Sequence, residues 1–348
     1  MSENVKICRK RLEEIVLQIL ETLNVSNEDG KMIADTLIQA EQWGVTSHGV
    51  LRLEHYVRCI QSGGILPNAK FTVEQQCGSW VRASANGGLG IPASRKATDL
   101  VINLAREHGI GIVNLKKSHH NGAEGVYAHA IAKEGMIGIV MSTGNPIMAV
   151  TGSCEATIGN NPFAYAVPAG KYDTLMMDVA MSAVADGKVQ VAKATGKLLE
   201  PGCILDREGK PSIVPDDYLS GGVLLPFGAH KGYGLSVMVE CMAGILSGAA
   251  LTHDIDSWNK KAGHCGNTGH LFMAMDISKM MDVADYEKSV ETMIEQFKSA
   301  KKAEGVNEIF FPGELEHRRA AQAGDMVSLL PSTWEKLELA AQYAGVTL

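Results

Sequence analysis

The sequence GLGIPA at residues 88–93 decides which kind of fold to expect, because it stands between a strand-like run and a helical pattern. It fits the G-x-G-x-x-A turn of Rossmann domains, which bind dinucleotides and also need an acidic residue about 20 positions further on. That position falls in GIGIVNL, residues 109–115, which contains no acidic residue. We therefore interpret residues 88–93 as a glycine turn that leads into a helix. Any nucleotide site must have another architecture.

Outward from this turn, short strand-like runs alternate with helical patterns, which is typical of an α/β domain. The patterns predict strands near residues 79–84, 110–115, 137–142, 163–167 and 174–178, and helices near residues 91–107 and 122–134. Glycine and proline between residues 195 and 215 indicate a loop, and a long apolar helix follows from Gly232 onward. The central part of the chain is thus predicted to be α/β.

Both ends of the chain have helical patterns instead. Helices are predicted at residues 8–23, from Ser26 to Gly44, from His48 onward, at residues 285–303 and from Ser332 onward. The sequence therefore predicts a mixed α and β fold. A helical domain formed from residues 1–75 and 285–348 surrounds an α/β domain over residues 76–284.

The composition excludes several classes of protein. The chain has 348 residues, 45% hydrophobic and 20% charged, so it can bury a large core. Its formal net charge of −7 offers no basic footprint for nucleic acid. The longest apolar run, residues 235–251, is short for a membrane span and contains Glu240. We expect neither nucleic acid nor a membrane as a partner.

The cysteines and the N-terminus indicate the compartment. Seven cysteines, an odd number without a C-x-x-C pair, argue against a disulfide framework or a cysteine-rich zinc site. The first residues, MSENVKICRKRLEE, lack the apolar core of a signal peptide. We therefore expect a cytoplasmic protein.

The first candidate for chemistry is SHGVLRLEHY, residues 47–56. If a helix opens here, His48, Arg52 and Tyr56 have the spacing i, i+4, i+8 and project on one side of it, opposite an apolar face. A guanidinium binds a carboxylate through two parallel N–H bonds, and an imidazole or phenol can reach a neighbouring hydroxyl. The pattern therefore suits a small carboxylate substrate, although an ordinary solvated helix face has the same spacing.

The second candidate is KKSHHNGAE, residues 116–124, at the end of a predicted strand. A histidine in such a loop can transfer a proton near neutral pH. The alternative is a metal site formed by His119, His120, Glu124 and His129. It is the weaker interpretation, because adjacent histidines in an extended segment point to opposite faces and the sequence contains no H-E-x-x-H.

Three further segments have weaker signals. In LPFGAHKGYG, residues 225–234, Lys231 stands where the positive end of a helix dipole disfavours a cation, which a phosphate beside it would explain. A lysine that turns into solvent is the alternative. The loops STGNP, residues 142–146, and GNNPF, residues 159–163, and a strand with a Pro-Gly turn at residues 307–314 can be ordinary turns.

Six of these segments occur in one order, SHGVLRLEHY, HNGAEG, IGNNPFAYAVP, MDVAMSAVADGKV, HKGYGL and FFPGE. In this order and spacing the chain resembles, over nearly its whole length, the malate/L-lactate dehydrogenase family of the non-Rossmann type. That family includes ureidoglycolate and sulfolactate dehydrogenases, diketogulonate reductase and piperideine-carboxylate reductase. The resemblance implies a non-Rossmann α/β domain that binds NAD(P), a helical substrate and dimerisation domain, and a homodimer with active sites near the subunit interface.

The resemblance also implies roles for single residues. His120 would donate or accept the proton, Arg52 would bind the substrate carboxylate, and Ser47 and His48 would line the pocket, with His48 as the alternative acid or base. The positions that match cofactor contacts are Gly144, Asp178, Val179, Ala180, Lys231, Gly313, Glu314 and Leu315. It implies no metal.

Three positions depart from the family pattern. Asp186 stands where a basic residue is frequent and would repel a 2′-phosphate, which favours NAD over NADP without excluding NADP. Asn145 and Asn160 also depart from it and leave the substrate open. We predict a 2-hydroxy acid dehydrogenase with malate first, and ureidoglycolate, lactate or another 2-keto acid as alternatives. A metal-dependent hydrolase using His119 and His120, and a ligand-binding homologue without activity, are the alternatives of other classes.

Overall fold

The computed structural model describes residues 3–257 and 261–348. Its strands are β1 Val5–Cys8, β2 Thr72–Cys77, β3 Trp80–Ser84, β4 Ile110–Ser118, β5 Met136–Ser142, β6 Met148–Ala149, β7 Ala156–Ile158, β8 Phe163–Pro168, β9 Thr174–Val179, β10 Ile204–Leu205, β11 Pro211–Ser212, β12 Val223–Leu224, β13 Thr268–Asp276 and β14 Met326–Leu329. Its helices are α1 Arg9–Glu21, α2 Asn27–Trp43, α3 Leu53–Gln61, α4 Gly90–His108, α5 Glu124–Ala132, α6 Asp186–Ala194, α7 Pro215–Leu219, α8 His230–Val239, α9 Val283–Ser299, α10 Glu314–Ala323 and α11 Pro331–Ala344.

The main sheet has seven strands in the order β2-β3-β4-β13-β5-β8-β9. β3 and β4 are parallel, and the other neighbours are antiparallel. A Rossmann sheet is mostly parallel, so the predicted non-Rossmann mixed fold is confirmed. The central strand β13 was not predicted. A smaller sheet of five short strands, β11-β10-β12-β6-β7, lies beside α6, α7 and α8.

The turn at residues 88–93 leads directly into α4, as predicted. Gly90 is required there, because a Cβ atom on it would lie 2.3 Å from the carbonyl oxygen of His119 and 2.5 Å from that of His120. The close approach brings the start of α4 against the loop that follows β4. α4 and α5 bury residues such as Val101, Tyr127 and Ile131 in one core with the main sheet.

The two ends of the chain meet. β1 pairs antiparallel with β14, and α1, α2, α3 and α11 bury a second core that includes Leu12, Leu37, Val57 and Leu337. The strands β1 and β14 were not predicted. The helix predicted at residues 285–303 is α9, which packs through Val290 and Ile294 in a core with Leu175 of β9 rather than with the N-terminal helices.

The helix predicted to begin near His48 is interrupted. Residues Thr46–His48 and Val50–Arg52 form two single 3₁₀ turns, and α3 begins only at Leu53. A Cβ atom on Gly49 would lie 2.0 Å from Oε1 of Glu41, so the buried Glu41 side chain occupies the space under the loop. The expectation that His48, Arg52 and Tyr56 lie on one side of one helix was therefore wrong, and Tyr56 is buried, with 2% of its surface exposed.

Three other predicted segments differ. Residues 307–311 form no strand, and the loop predicted between residues 195 and 215 contains the short strands β10 and β11. The apolar helix begins at His230, not Gly232, and continues from α8 into a π-helical turn at Glu240–Ile245. Within the described residues, no helix is both long and apolar enough to cross a membrane.

Candidate active site

Two loops that are distant in sequence meet beside α3. The imidazole rings of His48 and His120 stack with their centroids 5.5 Å apart and their planes 19° from parallel. The hydroxyl of Tyr56 and Nδ1 of His120 form a hydrogen bond of 2.7 Å. The structure thus brings together three of the residues singled out in the sequence. We call Ser47, His48, Arg52, Tyr56 and His120 the substrate cluster.

Hydrogen bonds within the chain hold the loop that carries Ser47, His48 and Arg52. Nε of Arg52 donates to the carbonyl oxygen of Ser47 at 2.6 Å, and the Ser47 hydroxyl and Nδ1 of His48 are 2.9 Å apart. From below, Oε1 of Glu41 accepts from the backbone N–H of Val50 at 3.0 Å. Burial raises the pKa of Glu41 to about 8, so this carboxyl is mainly protonated at neutral pH. The loop is therefore supported without a buried charge.

His120 is surrounded by groups that can donate to it. Besides the Tyr56 hydroxyl, the backbone N–H of Gly122 donates to its Nδ1 at 3.4 Å. The 2.7 Å contact with Tyr56 is the shorter of the two and suits either neutral tautomer, because a hydroxyl can donate or accept. Burial lowers the pKa of His120 well below its usual value, and the positive charge of Arg52 adds to the shift. Burial and Arg52 also lower the pKa of His48, to about 3. Both imidazoles are therefore neutral in the free protein.

Arg52 is half-buried. Burial lowers the pKa of its guanidinium, and the Tyr56 and Asp186 side chains oppose that shift. Asp186 is the first residue of α6, and a Cβ atom on the next residue, Gly187, would lie 3.5 Å from Cβ of Ser47. The sequence related Asp186 to the cofactor phosphate, but the structure places its helix against the substrate cluster.

His119, next to His120 in sequence, lies in a different environment. It is 1% exposed, and burial lowers the pKa of its imidazole. The alternative metal site also included His129 and Glu124, and both side chains bond to other residues. Nδ1 of His129 and the Thr174 hydroxyl form a hydrogen bond, and Oε2 of Glu124 accepts from the amide of Asn121. Within residues 3–257 and 261–348, no three His, Cys, Asp or Glu side chains are arranged to hold a metal ion.

The predicted cofactor residues Asp178 to Ala180 lie at the end of β9. Oδ2 of Asp178 accepts from the backbone N–H of Gly125, in the first turn of α5, at 2.8 Å. Solvent reaches this carboxyl, but protein atoms surround it on most sides and raise its pKa to about 6. The turn at Gly313 packs on the same strand, because the backbone N–H of Met176 donates to the Pro312 carbonyl at 3.0 Å.

Glu314 and Leu315 follow this turn and have different surroundings. The Glu314 carboxylate is buried and accepts from Nζ of Lys298 at 2.6 Å and from Nη2 of Arg318 at 2.6 Å. It thus acts within the chain, as an anchor for the turn. Leu315 is 39% exposed. Only the backbone of this turn and the Leu315 side chain remain for contacts with a ligand.

Gly144 is fixed by a residue that the sequence analysis missed. Its backbone N–H donates to Oδ1 of Asn161 at 3.0 Å, and Nδ2 of Asn161 donates to the Ser236 carbonyl and to Oε1 of Glu240, each at 3.1 Å. Asn161 is fully buried and has a positive φ of 28°. It joins the loop at Gly144 to the apolar helix. The sequence signal was the Asn-Asn-Pro turn, which could equally be generic.

Lys231 lies in the first turn of α8 and is exposed. No hydrogen bond or ion pair joins its side chain to any other residue that the structure describes. The two residues before the helix, Gly228 and Ala229, have positive φ values of 53° and 54°. Such strain at a non-glycine residue is often found at ligand sites. A Cβ atom on Gly232 would lie 2.7 Å from the Met181 carbonyl, so this helix begins against the segment after Ala180.

These residues fit a dinucleotide. An unpaired cation at a helix N-terminus suits phosphate, and the glycine-lined turns allow a ligand to approach the backbone. We call Gly144, residues 178–180, Lys231 and residues 313–315 the cofactor group.

Comparison with known proteins gives the family. The model of the malate/L-lactate dehydrogenase family matches residues 7–338. The chain belongs to that family. Malate dehydrogenase of Pyrococcus horikoshii is 36% identical to this dehydrogenase over 317 residues, covering 89% of this chain and 87% of that protein. The (2R)-3-sulfolactate dehydrogenase (NADP(+)) of Chromohalobacter salexigens is 32% identical over 331 residues, covering 95% of this chain and 96% of that protein.

A solved structure agrees with these matches. Sulfolactate dehydrogenase from Methanocaldococcus jannaschii is similar to this dehydrogenase with a TM-score of 0.91 at 28% identity, over 99% of this chain and 98% of that one. The matches confirm the predicted family, fold class and enzyme class, an NAD(P)-dependent 2-hydroxy acid dehydrogenase. These relatives are named dehydrogenases, so the hydrolase alternative finds no support among them.

Proposed function

We propose that this dehydrogenase interconverts a small 2-hydroxy acid and its 2-keto acid at the substrate cluster. The observation that carries the proposal is that the rings of His48 and His120 stack, with their centroids 5.5 Å apart. The loop that carries His48 also holds Arg52, through the carbonyl oxygen of Ser47. A cation that can bind a carboxylate thus belongs to the same cluster as two neutral imidazoles. When bound at the cofactor group, the nicotinamide would supply the hydride acceptor or donor for carbon 2 of the acid.

Arg52 binds the substrate carboxylate. Its Nε is used by the Ser47 carbonyl, which orients the guanidinium, and its Nη atoms carry the parallel donors that a carboxylate requires. A bound carboxylate also changes His120. Because Arg52 lowers the pKa of His120, neutralising that charge raises the pKa of the imidazole and helps it to hold a proton.

His120 is the proton acceptor in the oxidation of the 2-hydroxy acid. With its Nδ1–H donating to the hydroxyl oxygen of Tyr56, His120 takes the substrate's hydroxyl proton at Nε2 as the C2–H bond gives up its hydride to the cofactor and the C–O bond becomes a carbonyl. In the reverse direction the imidazolium returns that proton to the carbonyl oxygen. We assign the role to His120 rather than His48, because Tyr56 and Gly122 both contact Nδ1 of His120, whereas one hydroxyl contacts the ring of His48.

The cofactor and the substrate are assigned more narrowly as follows. We propose NAD as the cofactor, as the sequence predicted, with NADP as the alternative because one relative's name specifies it. The sequence predicted malate first, and malate names both the family and a relative. We nevertheless propose a 2-hydroxy acid with a single carboxylate, such as lactate, as the substrate, because the helix that begins at Asp186 packs against Ser47.

We also propose that the dehydrogenase is a homodimer. Residues 1–75 with residues 314–348 form its substrate domain, whereas α9 packs with β9 and belongs with residues 76–284, which bind the cofactor. The apolar side chains exposed on α8 and the π turn support the dimer. Leu235, Val237, Ile245 and Leu246 are 38% to 56% exposed. Light scattering should give twice the mass of the chain. The cytoplasmic location stays a prediction from composition.

The test of the activity is a panel of 2-keto acids with NADH and NADPH, followed at the nicotinamide absorbance. We expect oxidation of NADH with at least one small 2-keto acid and slower oxidation of NADPH. If a panel containing pyruvate, 2-oxobutyrate, oxaloacetate and 2-oxoglutarate gives no turnover with either cofactor, the proposal is wrong. The ligand-binding homologue would then be the better account if NADH still raises the melting temperature.

A further inference from the structure

Asp186 stands at the border between α6 and the substrate cluster. It is half-buried at the first position of α6, and the next residue approaches Ser47 so closely that a Cβ atom on Gly187 would lie 3.5 Å from Cβ of Ser47. Ser47 in turn holds Arg52 through its carbonyl oxygen. The carboxylate therefore belongs to the surroundings of the predicted substrate carboxylate.

The Asp186 side chain is held in place by neutral groups. Its Oδ1 accepts from the hydroxyl of Tyr218 at 2.8 Å, and its Oδ2 accepts from Nε2 of Gln190 at 2.8 Å. Neither partner carries a positive charge, so neither neutralises the carboxylate. Its position at the start of a helix favours a negative charge as well. Asp186 is thus a fixed anion at the start of the helix that packs against Ser47.

The charge of Asp186 reaches Arg52, because it opposes the effect of burial on the pKa of the guanidinium. A substrate with one carboxylate brings one negative charge, which Arg52 binds. A substrate with a second anionic group brings a further negative charge to a site beside which the anion of Asp186 already lies. Like charges brought together in a partly buried site repel each other by amounts that change affinity on the order of tenfold.

We propose that Asp186 determines substrate specificity by disfavouring acids with a second anionic group. The preferred substrates are then 2-hydroxy and 2-keto acids with one carboxylate and a neutral or cationic remainder. This inference rests on the proposed function. It separates this chain from relatives named for malate and sulfolactate, both of which carry two acidic groups.

The experiment compares 2-oxobutyrate and oxaloacetate, which have four carbons and one or two carboxylates. We expect the wild-type protein to have the higher kcat/KM for 2-oxobutyrate. In Asp186→Asn, where the amide oxygen can still accept from Tyr218, the ratio of kcat/KM for oxaloacetate to that for 2-oxobutyrate should rise about tenfold. Asp216→Asn is the matched control, because Asp216 is a neighbouring carboxylate that pairs with Lys193 on the surface. Its ratio should equal that of the wild type.

A binding measurement separates this inference from the proposed function. Calorimetry with butyrate and succinate, which also differ by one carboxylate, needs no turnover. Succinate should gain about tenfold over butyrate in Asp186→Asn and not in Asp216→Asn. If both ratios are the same in Asp186→Asn as in the wild type, the inference is wrong, whereas turnover of the keto acids would keep the proposed function. If no keto acid turns over but the ratio of the succinate and butyrate affinities shifts, the proposed dehydrogenase reaction is wrong, and the proposed effect of Asp186 on doubly charged acids stands.

Discussion

The substrate cluster and the cofactor group differ in how the chain uses their side chains. In the substrate cluster, Ser47, His48, Arg52, Tyr56 and His120 bond to one another or stack before any ligand is present. In the cofactor group, the carboxylates of Asp178 and Glu314 are already used within the chain, and Lys231 is exposed. Side chains would therefore carry the chemistry, whereas the cofactor would be held mainly by backbone and by one cation. Substitutions in the substrate cluster should therefore change kcat or KM for the acid, whereas substitutions in the cofactor group should change the affinity for NADH.

The largest effect is expected at the proton-transferring residue. His120→Ala should lower kcat by about 10²–10⁴-fold, the usual contribution of general acid–base catalysis, while NADH binding stays unchanged. Steady-state kinetics and fluorescence titration with NADH measure the two quantities. His48→Ala is the companion variant, and we expect a smaller fall in kcat. A larger fall in His48→Ala than in His120→Ala would reverse the assignment of the two rings.

The next effect is expected at the carboxylate-binding residue. Arg52→Ala should raise KM for the 2-keto acid by roughly 10²-fold, because a charge-assisted pair of hydrogen bonds contributes about 1.5–3 kcal/mol for each bond. Arg58→Ala is the control, since Arg58 pairs with Glu54 within α3. An unchanged KM in Arg52→Ala would remove this residue from the substrate cluster and leave the carboxylate without a partner.

A smaller effect is expected in the cofactor group. Lys231→Ala should weaken NADH binding about tenfold with kcat at saturating NADH nearly unchanged, since one surface ion pair with phosphate is lost. The free protein should not become less stable, because a cation at a helix N-terminus costs a few tenths to about 1 kcal/mol. The exposed Lys301→Ala serves as the control for charge. Equal NADH affinity in the two variants would contradict the phosphate contact.

The smallest effect concerns the support of the catalytic loop. Burial raises the pKa of Glu41 to about 8, so the folded protein binds a proton there that the unfolded chain releases above its ordinary pKa of 4.5. Stability from this group is present at low pH and is lost as the pH rises from about 5 to 8. Glu41→Gln, which keeps the acceptor for Val50, should remove this dependence, so that its free energy of unfolding changes less between about pH 5 and pH 8 than that of the wild type. Urea unfolding at several pH values measures it, and parallel curves for the two proteins would contradict the raised pKa.

Several elements of the α/β region could be predicted from sequence. β4, α5 and β5 lie within a few residues of their predicted positions, because Gly109, Gly122 and Gly135 mark turns just before these apolar runs. β13 was missed because its composition does not favour a strand. In the sequence TGHLFMAMD both faces are apolar, and leucine, methionine and alanine have no strand preference. Its strand conformation follows from pairing with β4 and β5 on both sides, which are distant in sequence.

Residues 307–311 show the reverse error. The pair Phe310-Phe311 suggested a strand, but Phe311 is buried in the core against α9 while Phe310 is 42% exposed. The backbone hydrogen bond to β9 is made by the next residue, because the Pro312 carbonyl accepts from the N–H of Met176. Phe310 and Phe311 therefore alternate in burial although residues 307–311 do not pair with a strand.

For the site, residue types and spacing indicated His48, Arg52 and His120, although the reason was partly wrong. They do not lie on one helix. Gly49 interrupts it because Glu41 occupies the space beneath, a contact that spacing alone does not reveal. Apart from Lys231, the cofactor group could be predicted only through resemblance, since backbone contacts leave little trace in residue type. The packing of the helix that begins at Asp186 against Ser47 depends on tertiary structure and became visible only there.

The most direct test of the account is a crystal structure of the protein with NADH and oxamate, a non-reacting analogue of a 2-keto acid. We expect the oxamate carboxylate on Arg52, its carbonyl oxygen within hydrogen-bond distance of His120, and a cofactor phosphate beside Lys231. A cofactor bound away from Lys231, or oxamate that contacts neither Arg52 nor His120, would contradict the account.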